Sequence, residues 1–157
     1  MQRFDYFKGS TYFNNYLSFN HAVHESAVAR EFGDLVTIRA SQINQCAFCL
    51  DMHVKEAKIH GERELRLYHL PVWRESDLFN PRERAALAWT EALTQLGPHG
   101  VPDEVYAEVR GQLSESEMAD LGFLIVAING WNRLCMAFRT APGSADAAFG
   151  LDKAGLR

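Results

Sequence analysis

The chain has 157 residues, 16 lysines and arginines against 20 aspartates and glutamates, and a net charge of −4; its basic residues are scattered singly, which excludes a polyanion-binding face and with it a nucleic-acid partner. The start, MQRFDYFKGSTYF, lacks the basic-then-apolar order of a secretory signal, and the longest apolar run, residues 123 to 128, falls far short of the roughly 20 residues that span a bilayer, so a cytoplasmic protein without membrane contact is expected. Three cysteines in a reducing compartment argue against a disulfide framework, and a close pair there is more often catalytic or metal-binding.

Apolar residues recur at three and four rather than at two, so the chain reads as all-α, a single domain over residues 1 to 157. The aromatic start (Phe4, Tyr6, Phe7, Tyr12, Phe13, Tyr16, Phe19) is too apolar for a free arm and is expected to dock on the core or on another subunit. A helix over residues 20 to 32 opens at Asn20 and stops at Gly33; the next, residues 34 to 44, carries two adjoining apolar stripes. A third runs from 46 to 59, with His60 in its last turn and Gly61 as its stop. Residues 62 to 69 form a short helix that Pro71 interrupts, and residues 72 to 79 are a loop. Asn80-Pro81-Arg82-Glu83 is the best-signed helix start, with an N-cap, a proline at the first position and an acid at the third. That helix ends at Gly97-Pro98; another spans 102 to 113, and the Ser114 to Glu117 capping box opens the longest, through about Arg139. This last helix is apolar nearly all round and belongs at the centre of the fold or in a subunit interface, with Cys135 buried and inert on it. Asn129, Asn132 and Arg133 interrupt its apolar surface and should be hydrogen-bonded, while residues 142 to 157, rich in small side chains, form a loosely held tail.

The stretch IRASQINQCAFCLDMHVKEA carries the chemistry. With Cys46 at a helix start, unpaired N–H groups and the positive dipole end favour a thiolate over a thiol. His53 follows Cys49 by four residues, so the two share a face and the imidazole can relay a proton. Helical neighbours three apart are set wider than a disulfide wants, so closing Cys46 to Cys49 strains the first turn slightly, which suits a bond made and broken in turn. Asp34, twelve residues before Cys46, could fold back as a proton acceptor if the two helices form a hairpin; Glu25 or Glu31 takes that place if the hairpin packs differently. This reading requires Cys49 to be reachable and to ionise near neutral pH.

The string DLVTIRASQINQCAFCLDMH resembles the core motif of the AhpD-like alkylhydroperoxidases within the carboxymuconolactone decarboxylase family, and LYHLPVWRES, RERAALAWTEALT and INGWNRLCMAFR resemble later segments of its single-domain subgroup. The resemblance implies an all-helical homo-oligomer (dimer, trimer or hexamer) and thiol-dependent reduction of a hydroperoxide substrate, with no cofactor. It also implies roles: Cys49 as peroxidatic cysteine, Cys46 as resolving cysteine, His53 as relay, and Asp34 in the place of a proton-accepting glutamate. The cycle would pass through a sulfenic acid and an intramolecular disulfide, reduced by a dithiol protein or small thiol. Three departures stand out: Asp34 is one methylene shorter than the usual glutamate, Gln45 replaces a small residue, and Phe48 occupies the site of a histidine, leaving a more apolar pocket. The alternatives are a carboxymuconolactone-type decarboxylase, whose family members generally lack the paired cysteines; a non-catalytic redox sensor or structural oligomer; an inert cysteine pair in the core; and a zinc site of Cys46, Cys49, His53 with His60 or Asp34.

Overall fold

The computed structural model describes residues 2, 3, 6 and 10 to 156; Phe4 and Phe7 lie outside them. Eight α-helices follow one another along these residues, α1 (Thr11–His24), α2 (Ala27–Asn44), α3 (Ala47–His60), α4 (Glu64–His69), α5 (Pro81–Thr94), α6 (Asp103–Arg110), α7 (Glu115–Phe138) and α8 (Asp146–Phe149), with 3-10 turns at Leu70–Glu75 and Leu151–Ala154 and no strand. The all-helical expectation holds.

Local chemistry sets the boundaries. At α5, Asn80 Oδ1 accepts from the Glu83 N–H at 3.0 Å and Glu83 Oε2 from the Asn80 N–H at 2.8 Å; Ser114 and Glu117 repeat this reciprocal cap at α7. The stop expected at Gly33 is not there. The first break falls at Glu25 and Ser26, where Ser26 Oγ accepts from the Ala29 N–H at 3.0 Å, and Gly33 lies buried inside α2. A glycine in a helix interior weakens it by only about 1 kcal/mol relative to alanine, and the buried face of α2 (Val28, Phe32, Leu35, Val36) offsets that. Glu25 and Glu31 consequently flank the start of α2, and Glu31 is held by Arg82 at 2.9 Å.

The α2–α3 hairpin is tight. Gln45 adopts a left-handed conformation at φ 59°, its N–H bonds Gln42 O at 3.2 Å, and the Cys46 N–H bonds Ser41 O at 3.0 Å, which is the Schellman pattern ordinarily built on glycine. Gln45 is exposed and neither crowds nor caps the sulfur. Cys46 thus closes one helix and caps the next.

α7 is the one helix among the described residues long and apolar enough to cross a membrane by length and composition. Here it is the central helix: Leu121, Leu124 and Ile125 are fully buried with Phe32, Val36 and Ile38 of α2 and Leu87 of α5 in the main core. Its polar interruptions are hydrogen-bonded, within α7 and across to α2. Asn44 Nδ2 donates to Asn129 Oδ1 at 2.9 Å and Asn132 Oδ1 at 2.8 Å, Asn132 Nδ2 to Ser41 Oγ at 3.1 Å, and Arg133 to Asn129 Oδ1 at 2.9 Å. The hairpin's end is thereby fixed to α7.

α1 lies on α7 through aromatic contacts, Tyr16 and Phe13 on Trp131 at 4.7 and 5.7 Å and Phe19 on Phe123 at 6.3 Å, yet it holds no fully buried residue, and Tyr12 is largely exposed. The tail is not loose. Lys55 Nζ joins Asp51 at 2.8 Å to Asp146 of α8 at 2.7 Å, and Leu151 and Ala154 are buried, because a deeply placed ammonium needs its carboxylate partners.

Candidate functional site

Positions 46, 49, 53, 56 and 60 alternate steps of three and four, which places Cys46, Cys49, His53, Glu56 and His60 on one stripe of α3. At its head, Cys46 is the N-cap and its Sγ accepts the Cys49 N–H at 3.4 Å. Further along, His53 Nδ1 pairs with Glu56 Oε2 at 2.6 Å, and His60 Nδ1 meets the Asp34 carboxylate of α2 at 2.9 Å.

Asp34 therefore does not stand beside the thiols. In a hairpin turning at Gln45, a residue twelve before Cys46 lies opposite the far end of α3, and Cys49 to His60 spans about 16 Å of helix axis. The carboxylate that orients His53 is Glu56, three residues further along the same helix, which the sequence reading did not single out. Burial works against its charge, but the His53 hydrogen bond and the attraction of His53, His24 and His60 outweigh it and hold the carboxyl below the usual range.

A cavity of about 1060 Å³ joins these groups. Cys49, His53 and Glu56 line it together with Asp34 and His60; Phe48, Met52, Ile128 and Trp131 give it an apolar side, and Phe13, Leu17, His21 and His24 of α1 close one wall. Among them, His24 is pushed down by burial and by the neighbouring His53. Cys46 lies behind Cys49, outside the lining. Among the described residues no group of three or more His, Cys, Asp or Glu side chains could hold a metal ion, which leaves the four-ligand zinc arrangement without support.

Cys135 is not a bystander. It packs with Cys46, Cys49, Phe48 and Ile128 in a second, smaller core cluster, lines the cavity beside Cys49, and has the Tyr6 hydroxyl 3.1 Å from its sulfur. All three thiols are free and buried. Hydrogen bonds from Cys46 and Cys49 push the Cys135 thiol well down, against its burial, with Tyr6 helping; the same contacts push Cys46 and Cys49 up, Cys49 with burial adding to it. The three neighbouring thiols therefore titrate as a set. The expectation that Cys49 ionises near neutral pH at the helix start is thus corrected: the N–H there serves Cys46, the neighbouring thiols and burial push Cys49 up, and only 1% of it is exposed, on the cavity side.

Residues 11 to 92 match the model of the carboxymuconolactone decarboxylase family. YdfG of Bacillus subtilis, an uncharacterised protein, is 43% identical over 113 residues, covering 72% of this chain and 77% of its own. YnjA of Escherichia coli, likewise uncharacterised, is 32% identical over 92 residues, 58% of this chain and 50% of its own length. Among solved structures, a protein of unknown function from Agrobacterium tumefaciens, for which the name of the antioxidant defence protein AhpD has been suggested, superimposes with a TM-score of 0.86 at 37% identity, covering 90% of this chain and 98% of that one.

Proposed function

The chain belongs to the carboxymuconolactone decarboxylase family, on its AhpD-like side, and from that premise we propose that it is a thiol-dependent hydroperoxide reductase. The observation that carries the reading is a cysteine on the floor of a cavity, one helical turn from a second sulfur and four residues before a histidine locked to a carboxylate at 2.6 Å. Cys49 is the sulfur that meets the substrate, because it lines the cavity and Cys46 does not. Its low exposure leaves the cavity as the approach, and a terminal peroxide oxygen is small enough to use it.

Cys49 attacks the terminal peroxide oxygen as its own proton passes to His53; the O–O bond breaks with its electron pair going to the departing oxygen, which takes that proton from His53 and leaves as an alcohol. Glu56 fixes the ring through Nδ1, leaving Nε2 for the exchange. Cys49 is then a sulfenic acid. Attack by Cys46 forms the S–S bond and releases water, and a dithiol protein or small thiol reduces the disulfide for the next turnover. Asp34 and His60, at the far end of the stripe, would shape the cavity mouth rather than move the reacting proton. We place the protein in the cytoplasm, where such reductants are kept, and propose a homo-oligomer: α1 has no fully buried residue and Tyr12 is 85% exposed, as surfaces awaiting a second copy are.

The test is stoichiometric. Reduced protein given one equivalent of cumene hydroperoxide should lose two titratable thiols and regain them with dithiothreitol, and Cys49→Ser should consume no peroxide. Full peroxide turnover by Cys49→Ser would end the proposal, and lactone decarboxylation surviving in a Cys46→Ser, Cys49→Ser double variant would replace it with the family's other chemistry.

A further inference from the structure

The C-x-x-C pair accounts for two sulfurs, but the fold brings a third, from α7, to the same place. Cys135 shares a buried cluster with Cys46 and Cys49, and it lines the cavity next to Cys49 where Cys46 does not. Two polar groups attend it. The Tyr6 hydroxyl lies 3.1 Å from its sulfur. Thr140, whose backbone N–H bonds the Cys135 carbonyl at 2.9 Å, buries a hydroxyl that has no hydrogen-bond partner among the described residues. A hydroxyl beside a buried sulfur can donate to it and so favour an ionised over a merely packed thiol, whereas an inert core cysteine needs no such company.

We propose that Cys135 is a second resolving thiol: the oxidised sulfur of Cys49 can be captured across the cavity floor by Cys135 as well as along α3 by Cys46. The inference rests on the peroxide reading above and adds a residue to it. In balance, the peroxide takes two electrons from Cys49 and leaves as an alcohol; the Cys135 sulfur then attacks the Cys49 sulfenic acid, the S–O bond breaks, and the hydroxide leaves as water with one proton. The product is a disulfide tying α3 to α7, in place of one confined to the first turn of α3. The external dithiol reduces either form. The two routes differ mechanically. Closing Cys46 to Cys49 pulls against the cap that Cys46 makes with the Cys49 N–H, while closing Cys49 to Cys135 leaves that cap in place. The Tyr6 hydroxyl, 3.1 Å from the Cys135 sulfur, is placed to donate to it as a thiolate once Cys49 has been oxidised.

The decisive variant is Cys46→Ser, because serine is a preferred N-cap and keeps the start of α3 intact; an unchanged helical circular dichroism signal checks this. Reduced C46S receives one equivalent of cumene hydroperoxide in the presence of dimedone, is alkylated, and is mapped as peptides without reduction. The expected result is loss of both remaining thiols to a Cys49–Cys135 linkage, with dimedone on Cys49 only when Cys135→Ala is added. Dimedone on Cys49 with Cys135 alkylated as a free thiol in C46S overturns the proposal while leaving the peroxide reading standing. Should wild-type protein lose no thiol to the peroxide, the peroxide reading falls on its own, and diamide oxidation of C46S decides the pairing: an intramolecular Cys49–Cys135 bond upholds it, and its absence overturns it.

Discussion

Gly130 sits on α7 where α1 crosses it, and a Cβ there would lie 1.9 Å from Tyr16 Oη and 2.7 Å from Tyr16 Cζ. Gly130→Ala therefore has to expel the ring. The ring gives up its hydrogen bonds to the Ala127 carbonyl at 2.7 Å and the Val126 carbonyl at 3.2 Å, which together are worth about 1 kcal/mol, and its tilted contact with Trp131 at 4.7 Å, worth about 1 kcal/mol more. Alanine returns about 1 kcal/mol of helix propensity to α7. The net loss is about 1 kcal/mol, and it falls on α1, which has no fully buried side chain to hold it down. Since Phe13, Leu17, His21 and His24 form one wall of the cavity, loosening α1 should widen access to Cys49 and raise KM for a bulky hydroperoxide more than it changes kcat. Hydrogen exchange read by mass spectrometry should show faster exchange across residues 11 to 24 with α7 unchanged, and urea denaturation should show the small global loss. In a Tyr16→Ala background the added methyl meets no ring, so the same substitution should stabilise by about 1 kcal/mol. A stabilising Gly130→Ala in the wild-type background, or unaltered exchange in α1, would refute the account.

Glu56→Gln removes the carboxylate that orients His53 and should slow peroxide reduction by about 10²-fold, whereas Asp34→Asn, which loosens only His60, should cost less than about tenfold; equal losses in stopped-flow turnover would return Asp34 to the proton path. Gln45→Gly relieves a left-handed, non-glycine backbone and should raise stability by about 1 kcal/mol in urea titration; a destabilised variant would mean that Gln45 makes a contact the hairpin needs. The carboxyls of Glu56 and Glu91 are held below the usual range, each against its burial, by His53 in one case and by Trp73, Arg74 and Arg39 in the other. Depressed folded-state values mean these groups contribute stability above the ordinary carboxylate pKa of about 4.5 and lose it as pH falls through their lower folded values. The thermal midpoint should accordingly drop on acidification below about pH 4.5, and less steeply in Glu91→Gln; identical profiles would refute the assignment.

How far the sequence carries the site depends on whether a contact is local. The caps at Asn80 and Ser114, the stop at Gly61 and the thiol at the head of α3 all involve partners within four residues, and each is legible because its chemistry is completed inside one turn. The His53–Glu56 pair is equally local, three residues apart on one helix. Counting threes and fours onward from Cys46 finds Glu56 and His60 without any structure. Gly33 misleads in the opposite way: glycine reads as a stop, yet the buried stripe on both sides of it decides the matter, and the true break needs only Ser26 and its reach to the Ala29 N–H.

Asp34 and Cys135 belong to a different class, because their neighbours are set by how α2 and α7 pack on α3. The hairpin turn fixes Asp34 opposite His60 by geometry that spacing alone leaves open until Gln45 is known to occupy the turn. Cys135 is set by the asparagine network: Asn44, at the end of α2, is bonded to both Asn129 and Asn132, which brings the last turns of α7 against the hairpin and Cys135, one turn beyond Asn132, against the paired thiols. An apolar helix with a cysteine on it reads as core, and in this fold that core also holds the paired thiols. The same amides that hold the hairpin therefore set the spacing of the three sulfurs. Replacing Asn132 with leucine would leave the Asn44 amide with Asn129 alone and the Ser41 hydroxyl without its Asn132 partner, and should disturb thiol reactivity before it unfolds the chain.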